Sequence, residues 1–287
     1  MIIKLNRKIY TLVFVVVAVL MVNLARPLVP VIFSEKTDSK SLIILMYHSV
    51  LKSADLIGKY TISPDELEND IINLKSAGYE PVSLSEVRDY VNGSSDNFPN
   101  KAILITFDDG YYNNYYYAFP LLQKHNMKAV ISFIGKMTEQ CSAEEHQSPN
   151  YSHINYSQIT EMYESGLVEF ANHSYDMHKI TNRRKGSSKS KQESSAQYEN
   201  VFIDDTRKAE MLLQNKCSIT THIYTYPFGA ISSQTDTILE KLGYDITLSS
   251  EEGINKIYRG MSLYRLKRYN RPGTVCSKDF INKILKL

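Results

Sequence analysis

Tryptophan is missing from this 287-residue chain, and cysteine nearly so: Cys141, Cys217 and Cys276 stand far apart. An odd, scattered trio excludes a disulfide framework, and nothing resembles the paired cysteines of a zinc site. An excess of one charge is missing too. The formal net charge is only +2, so there is no global electrostatic case for nucleic acid. No internal repeat is visible. Long apolar runs are absent with one exception: Ile9–Ala25, broken only by Thr11 and Asn23 and preceded by Lys4, Arg7 and Lys8. Its length lies between a signal-peptide core and a full membrane span. No clean cleavage site follows, because Asn23 stands where a small residue is wanted. The expectation is a basic cytoplasmic stub over 1–8, a signal anchor over 9–25 and the remainder outside the cell membrane. Secretion after signal cleavage is the second reading. A buried core helix is the third, opposed by the terminal position and the basic flank.

What is present suits one domain of ordinary core size plus an appendage: 43% of residues are hydrophobic and 22% charged. Tyrosine is abundant at 21, which serves sugar stacking or plain packing equally. A polar linker covers 26–40 and a folded domain 41–287. Strand-like and helix-like stretches then alternate. Strands are expected at 41–48, 102–107, 128–135, 167–173, 221–227, near 245–249 and at 262–268. Helices are expected at 63–78, 83–91, 114–125, 156–166, 198–216 and 232–243. Ser63/Glu66 and Ser83/Glu86 have capping-box spacing, Pro64 suits a first helical position and Gly78 a helix end. The alternation predicts βα units around a parallel sheet or barrel. The basic, Ser-rich stretch 182–195 reads as a solvated, mobile loop, with a site for anionic polymer as the sharper alternative.

Polar residues collect where the predicted strands end: His48, Asp108–Asp109, His173 and the turn 226–229. In parallel α/β folds ligands bind at that end, so residues spread along the chain should converge. His173 and His178 are five apart, which rotates them off a common helical face, but a loop curling after a strand can bring both imidazoles to one ion. With the Asp109 carboxylate they form a two-His, one-carboxylate set with room for water. Zinc is the first expectation, and cobalt, nickel or iron also suit. Adjacent Asp108 and Asp109 make sense if one binds a cation and the other stays free as a base. A plain Asp-Asp-Gly turn is the competing reading. His48 is a candidate acid at neutral pH. The Pro227–Phe228–Gly229 turn could aim the Phe228 backbone N–H at an oxyanion.

Together "TFDDG" (106–110), "HSYDMH" (173–178) and "YPFG" (226–229) resemble the polysaccharide deacetylases of carbohydrate esterase family 4, the NodB-homology group, over roughly 41–270. "AFPLLQKHNMKAVISFIG" (118–135) resembles the family's connecting helix and strand. The resemblance implies a distorted (β/α) barrel and metal-dependent removal of acetyl groups from a glycan. It implies Asp108 as base and Asp109, His173 and His178 as metal ligands. Three departures stand out. The His motif is one residue longer than usual, Thr225 replaces the usual Arg two places before Pro227, and no His follows His222 to act as the usual acid. These match the poly-β-1,6-N-acetylglucosamine deacetylase subgroup, in which an early "YHSV"-like segment, here 47–50, supplies the acid, so His48 takes that role. The missing Arg leaves Arg265 as the candidate to orient Asp108. Tyr111, Pro227 and Arg265 are the expected substrate contacts, with loops 136–155 and 182–197 shaping the groove. The expected activity is N-deacetylation of an extracellular N-acetylglucosamine polymer in biofilm formation, with a polysaccharide synthase as an expected partner. Peptidoglycan or another wall glycan is the alternative substrate. A membrane-tethered, catalytically degenerate glycan-binding module is the alternative class.

Overall fold

The computed structural model describes residues 39–286. The expected stub, the anchor and nearly all of the linker lie outside them. Among the described residues no helix is long and apolar enough to cross a membrane. The chain opens with β1 (Lys40–Tyr47), a small pair β2 (Ser49–Val50) and β3 (Thr61–Ile62), α1 (Pro64–Ser76), β4 (Glu80–Pro81) and α2 (Leu84–Asn92). It continues through β5 (Lys101–Phe107), a π-helical turn (Asn114–Ala118), α3 (Phe119–His125), β6 (Ala129–Phe133), α4 (Gly135–Ser142), α5 (Tyr156–Glu164) and β7 (Val168–Asn172). The last part holds α6 (Ser195–Cys217), β8 (Ile223–Thr225), α7 (Thr235–Lys241), β9 (Ile246–Leu248), β10 (Asn255–Ile257), β11 (Leu263–Leu266), β12 (Tyr269–Asn270) and α8 (Ser277–Leu285).

Strands β1, β5, β6, β7, β8, β9 and β11 follow one another in the sheet, each parallel to the next. The sheet then curls back on itself through one short segment. β11 pairs with β9, and β12, starting three residues after β11 ends, pairs in parallel with β1 through Leu45↔Tyr269 and Met46↔Asn270. The rest of that edge of β1 is taken by β10, which is antiparallel (Lys40↔Ile257). The distorted barrel expected from the sequence is therefore a near-closed parallel sheet with one antiparallel strand at its seam.

Side chains alternate across each strand, and the barrel uses both faces. Ile43, Leu45 and Tyr47 of β1 and Ile103, Ile105 and Phe107 of β5 pack outward with α1, α3, α5, α6 and α8. Leu42, Ile44, Ala102 and Leu104 pack inward with Leu84, Val87 and Val91 of α2. Helix α2 therefore plugs the end where the strands begin. It carries the predicted Ser83/Glu86 capping box, and Glu169 of β7 accepts from the Leu84 and Ser85 N–H groups at 2.6 and 3.0 Å. A carboxylate there satisfies orphan donors and suits the helix dipole.

Three expectations need correction. The Ser63/Glu66 box forms by half: Ser63 accepts from the Glu66 N–H, but the Glu66 carboxylate turns to Arg271 and to the Ser277 N–H that opens α8. The helix expected over 114–125 begins as a π-turn, where Asn113 and Asn114 are drawn aside by Val50, Ser49 and the His48 carbonyl. The Ser-rich stretch is anchored rather than free. Ser187 and Ser190 are buried, the Lys189 N–H donates to Ser232 Oγ at 2.8 Å, Tyr198 donates to the Ser187 carbonyl, and Arg184 pairs with Glu193. Gly186 adopts φ +53°, and a Cβ there would run into the Pro227 carbonyl. Helices α4 and α8 and strands β2, β3, β4, β10 and β12 are additional to the sequence reading; α4 occupies the first part of what read as a loop over 136–155.

Candidate active site

The end opposite the α2 plug is a cavity of about 570 Å³ whose wall includes His48, Asp108, Asp109, His173, His178 and Phe228. The residues singled out at predicted strand ends do converge. β1 delivers His48, β5 delivers Asp108 and Asp109, β7 delivers His173, and β8 leads into the Pro227–Gly229 turn. Asp108 continues the ladder, its N–H donating to the Tyr47 carbonyl at 2.9 Å. Asp109 then adopts φ +71°, a left-handed conformation that Asp tolerates better than most residues, so the chain turns sharply between the two carboxylates.

Asp108 is 4% exposed and is gripped at both oxygens by Arg268, Nη1 to Oδ1 at 2.7 Å and Nη2 to Oδ2 at 2.8 Å. Its Nε–H donates to the Ser249 carbonyl at 2.8 Å and a second Nη1–H to Thr106 Oγ1 at 3.1 Å. Burial alone would raise the Asp108 carboxyl; the Arg268 charge and its two hydrogen bonds outweigh it and hold it well below the usual range. Arg265, the expected partner, donates instead to Asp236 at 2.7 Å. The reason is a bulge. Arg265 has φ +60°, and the register of β11 against β9 shifts between Leu263 and Leu266. Strict alternation from Leu263 would turn residue 265 inward; the extra residue turns Leu266 and then Arg268 inward.

Asp109, His173 and His178 offer ligand atoms that all lie within 4.8 Å of one another. Asp109 Oδ1 is 3.1 Å from His178 Nε2 and 3.6 Å from His173 Nε2. That oxygen is buried and has no hydrogen-bond partner among the described residues, a costly condition for a carboxylate unless a cation completes it. Ligands about 2.1 Å from a common tetrahedral centre stand roughly 3.4 Å apart, so the spacing fits a divalent ion. His173 Nδ1 faces the Thr225 carbonyl at 2.8 Å, which makes Nδ1 the donor and leaves Nε2 as the free ligand atom. Burial and the nearby His173 lower His178 to about 4, so it is neutral at pH 7, the form a metal ligand needs. Burial pushes the Asp109 carboxyl up, but the two imidazoles bring it down to about 2.

His48 lies against the Tyr60 ring, centroids 4.7 Å apart. Burial lowers its imidazole, while the Asp108 and Asp109 charges pull the other way. Phe228 is 37% exposed, has φ +56°, and rests its ring on His178 at 4.3 Å between centroids. Its N–H lies in the opening of a helical turn, where backbone donors lack intrahelical acceptors. Tyr111 lines the cavity and leans on His153, whereas Pro227 is buried beneath Gly186 and does not line it.

The family model for polysaccharide deacetylase matches residues 95–247, more than half the chain and inclusive of Asp108, Asp109, His173 and His178. The chain belongs to the polysaccharide deacetylase family. It is 26% identical over 259 residues to the poly-beta-1,6-N-acetyl-D-glucosamine N-deacetylase of Escherichia coli K12, a match covering 84% of this chain and 38% of that protein. The enzyme of the same name from Staphylococcus aureus MRSA252 is 29% identical over 229 residues, 76% of this chain and 74% of that one. The solved structure of IcaB from Ammonifex degensii superposes with a TM-score of 0.67 at 26% identity, covering 82% of this chain and 94% of that one. Within this deacetylase-family fold the sequence reading missed Arg268, Tyr60, Lys185 and Ser250 of the cavity wall. Only Arg268 carried a signal, as a cation near the end of a late strand, and the bulge disguised it.

Proposed function

We propose that this chain hydrolyses N-acetyl groups of an extracellular N-acetylglucosamine polymer, first of all poly-β-1,6-N-acetyl-D-glucosamine. The observation that carries the reading is the division of labour between two adjacent carboxylates. Asp108 is held ionised by Arg268, while Asp109 turns away to meet His173 and His178. A divalent cation at Asp109, His173 and His178, zinc by preference and cobalt, nickel or iron as alternatives, would polarise the acetyl carbonyl and acidify water beside it. Asp108 takes a proton from the attacking water as its oxygen bonds the carbonyl carbon. The Phe228 N–H faces the charge that develops on the carbonyl oxygen. His48 gives a proton to the departing nitrogen as the C–N bond breaks, and acetate and a free amine result. Burial disfavours the imidazolium that this role requires, and the Asp108 and Asp109 charges offset part of that cost. Tyr111 is the proposed sugar contact. The apolar segment 9–25 supports a single-pass tether with the site outside the membrane, where a polysaccharide synthase would supply the polymer.

Incubation of the purified protein with β-1,6 and β-1,4 N-acetylglucosamine oligomers, with and without chelator, tests this. Chelator-sensitive acetate from the β-1,6 series is the expected result. Release from the β-1,4 series alone would replace the substrate with a wall glycan such as peptidoglycan. Binding without release would favour a glycan-binding module.

A further inference from the structure

Between the two imidazoles lies a loop, 173–178, whose backbone groups are taken up from three sides. The Asn172 carboxamide oxygen accepts from the Ser174 N–H at 2.9 Å, and its nitrogen donates to the Thr206 carbonyl and to Tyr244. The first two N–H groups of α4, from Gly135 and Lys136, donate to the Ser174 and Tyr175 carbonyls at 3.0 Å each. Gly135 eases this approach, since a Cβ there would lie 3.0 Å from Tyr175 Cδ2 and 3.3 Å from both Tyr175 Cα and Ala209 Cβ, tighter than ordinary contact. The third side is a single carboxylate from α6. Asp205 Oδ1 accepts from the Tyr175 N–H and Oδ2 from the Asp176 N–H, both at 2.8 Å. Ser174, next to His173, sits at φ +76°, a conformation that a side-chain-bearing residue holds only when its surroundings impose it.

We infer that Asp205, on α6 and outside the catalytic cavity, is a positioning residue that sets the metal affinity of the His173–His178 loop. The spacing of five residues places the imidazoles on one centre only if the intervening backbone keeps this curl. The two N–H groups midway along it are aimed by one side chain, which reaches both. A neutral carboxamide at 205 could accept from one N–H but would set an NH₂ group against the other. This inference rests on the metal-site reading given above.

Three variants in the full-length protein test it: Asp205→Asn, Asp205→Ala and, as a control, His178→Ala. The metal-free proteins are compared by thermal melting, and Co²⁺ affinity is measured by chromogenic competition together with the cobalt visible spectrum. Asp205→Asn should weaken Co²⁺ binding by roughly 10–100-fold and alter the cobalt spectrum, the size expected for losing a group that orients a ligand. Its metal-free melting temperature should stay near that of the wild type. Asp205→Ala should weaken binding at least as much, and if it fails to fold, Asp205→Asn decides. Wild-type Co²⁺ affinity and spectrum in Asp205→Asn, beside lost binding in His178→Ala, would overturn the role of Asp205 alone. Undiminished binding in His178→Ala would overturn the metal site itself, and this inference with it.

Discussion

Arg268 and Arg271 stand three positions apart in sequence, both are 1% exposed, and each forks onto an aspartate, yet the two pairs occupy different regions and do different work. Arg271 grips Asp70 of α1 at 2.6 and 3.2 Å, while Tyr47 adds its hydroxyl to the same carboxylate at 2.9 Å. The guanidinium also reaches the Val275 carbonyl and Glu66, so α1, β1 and the approach to α8 meet at one point. This pair is sealed. The Arg268 pair has similar chemistry, but the Asp108 carboxylate looks into the cavity beside His48 and the candidate metal site of Asp109, His173 and His178. A buried ion pair is weak evidence of stabilisation taken by itself. What distinguishes these two is whether the carboxylate has anything left to do once it is paired.

The contrast can be broken from either side. Asp108→Asn should lower acetate release by about 10²–10⁴-fold, the usual contribution of a positioned base, measured under saturating metal. Full activity in that variant would remove Asp108 from the base role. Asp70→Asn is the counterpart: urea unfolding should show a loss of about 1–3 kcal/mol, because Arg271 loses its buried counter-charge and keeps only the part-exposed Glu66, while kcat of the folded fraction holds. A collapse of kcat at unchanged stability would merge the two pairs into one functional unit. Gly186→Ala should cost about 1–3 kcal/mol, since the left-handed backbone and the Pro227 carbonyl leave no room for a Cβ. An unchanged melting curve would return the 182–195 stretch to the status of a free loop.

The smallest effect is in pH. The folded value of Asp108 lies below the unfolded value of about 3.9. As pH falls, the unfolded chain binds the proton first, and unfolding is favoured. The stability that Asp108 ionisation adds is thus complete above about pH 4 and is lost progressively below it, towards its own depressed value. The stability gap between wild type and Asp108→Asn should narrow from pH 6 to pH 3.5 in urea titrations; a widening gap would reverse the sign.

The site's first members were readable because strand ends in a parallel fold announce themselves: an apolar run stops and a polar residue follows. His48, Asp108, Asp109 and His173 were found that way, and His178 by its spacing from His173. What could not be read depends on three-dimensional register. Arg268 is hidden by one extra residue in β11, which reverses the in-and-out alternation counted from Leu263, so Arg265, the candidate offered in place of the missing Arg, pairs with Asp236 instead. Asp205 sits mid-helix with nothing local to mark it. The seam escaped for a related reason: β10 and β12 are too short to show a periodicity, and each is defined by its partner on β1 rather than by its own residues. The Ser-rich stretch misled because composition describes solubility, whereas its anchoring comes from buried serine hydroxyls and one glycine.

The segment 263–270 both closes the barrel and carries Arg268. A nascent chain still lacking it could already hold Asp109, His173 and His178, yet its Asp108 would have no counter-ion and no fixed orientation. Closing the ring and fixing the Asp108 carboxylate are therefore one event, and a molecule with an open seam lacks the guanidinium that holds that carboxylate ionised and aimed.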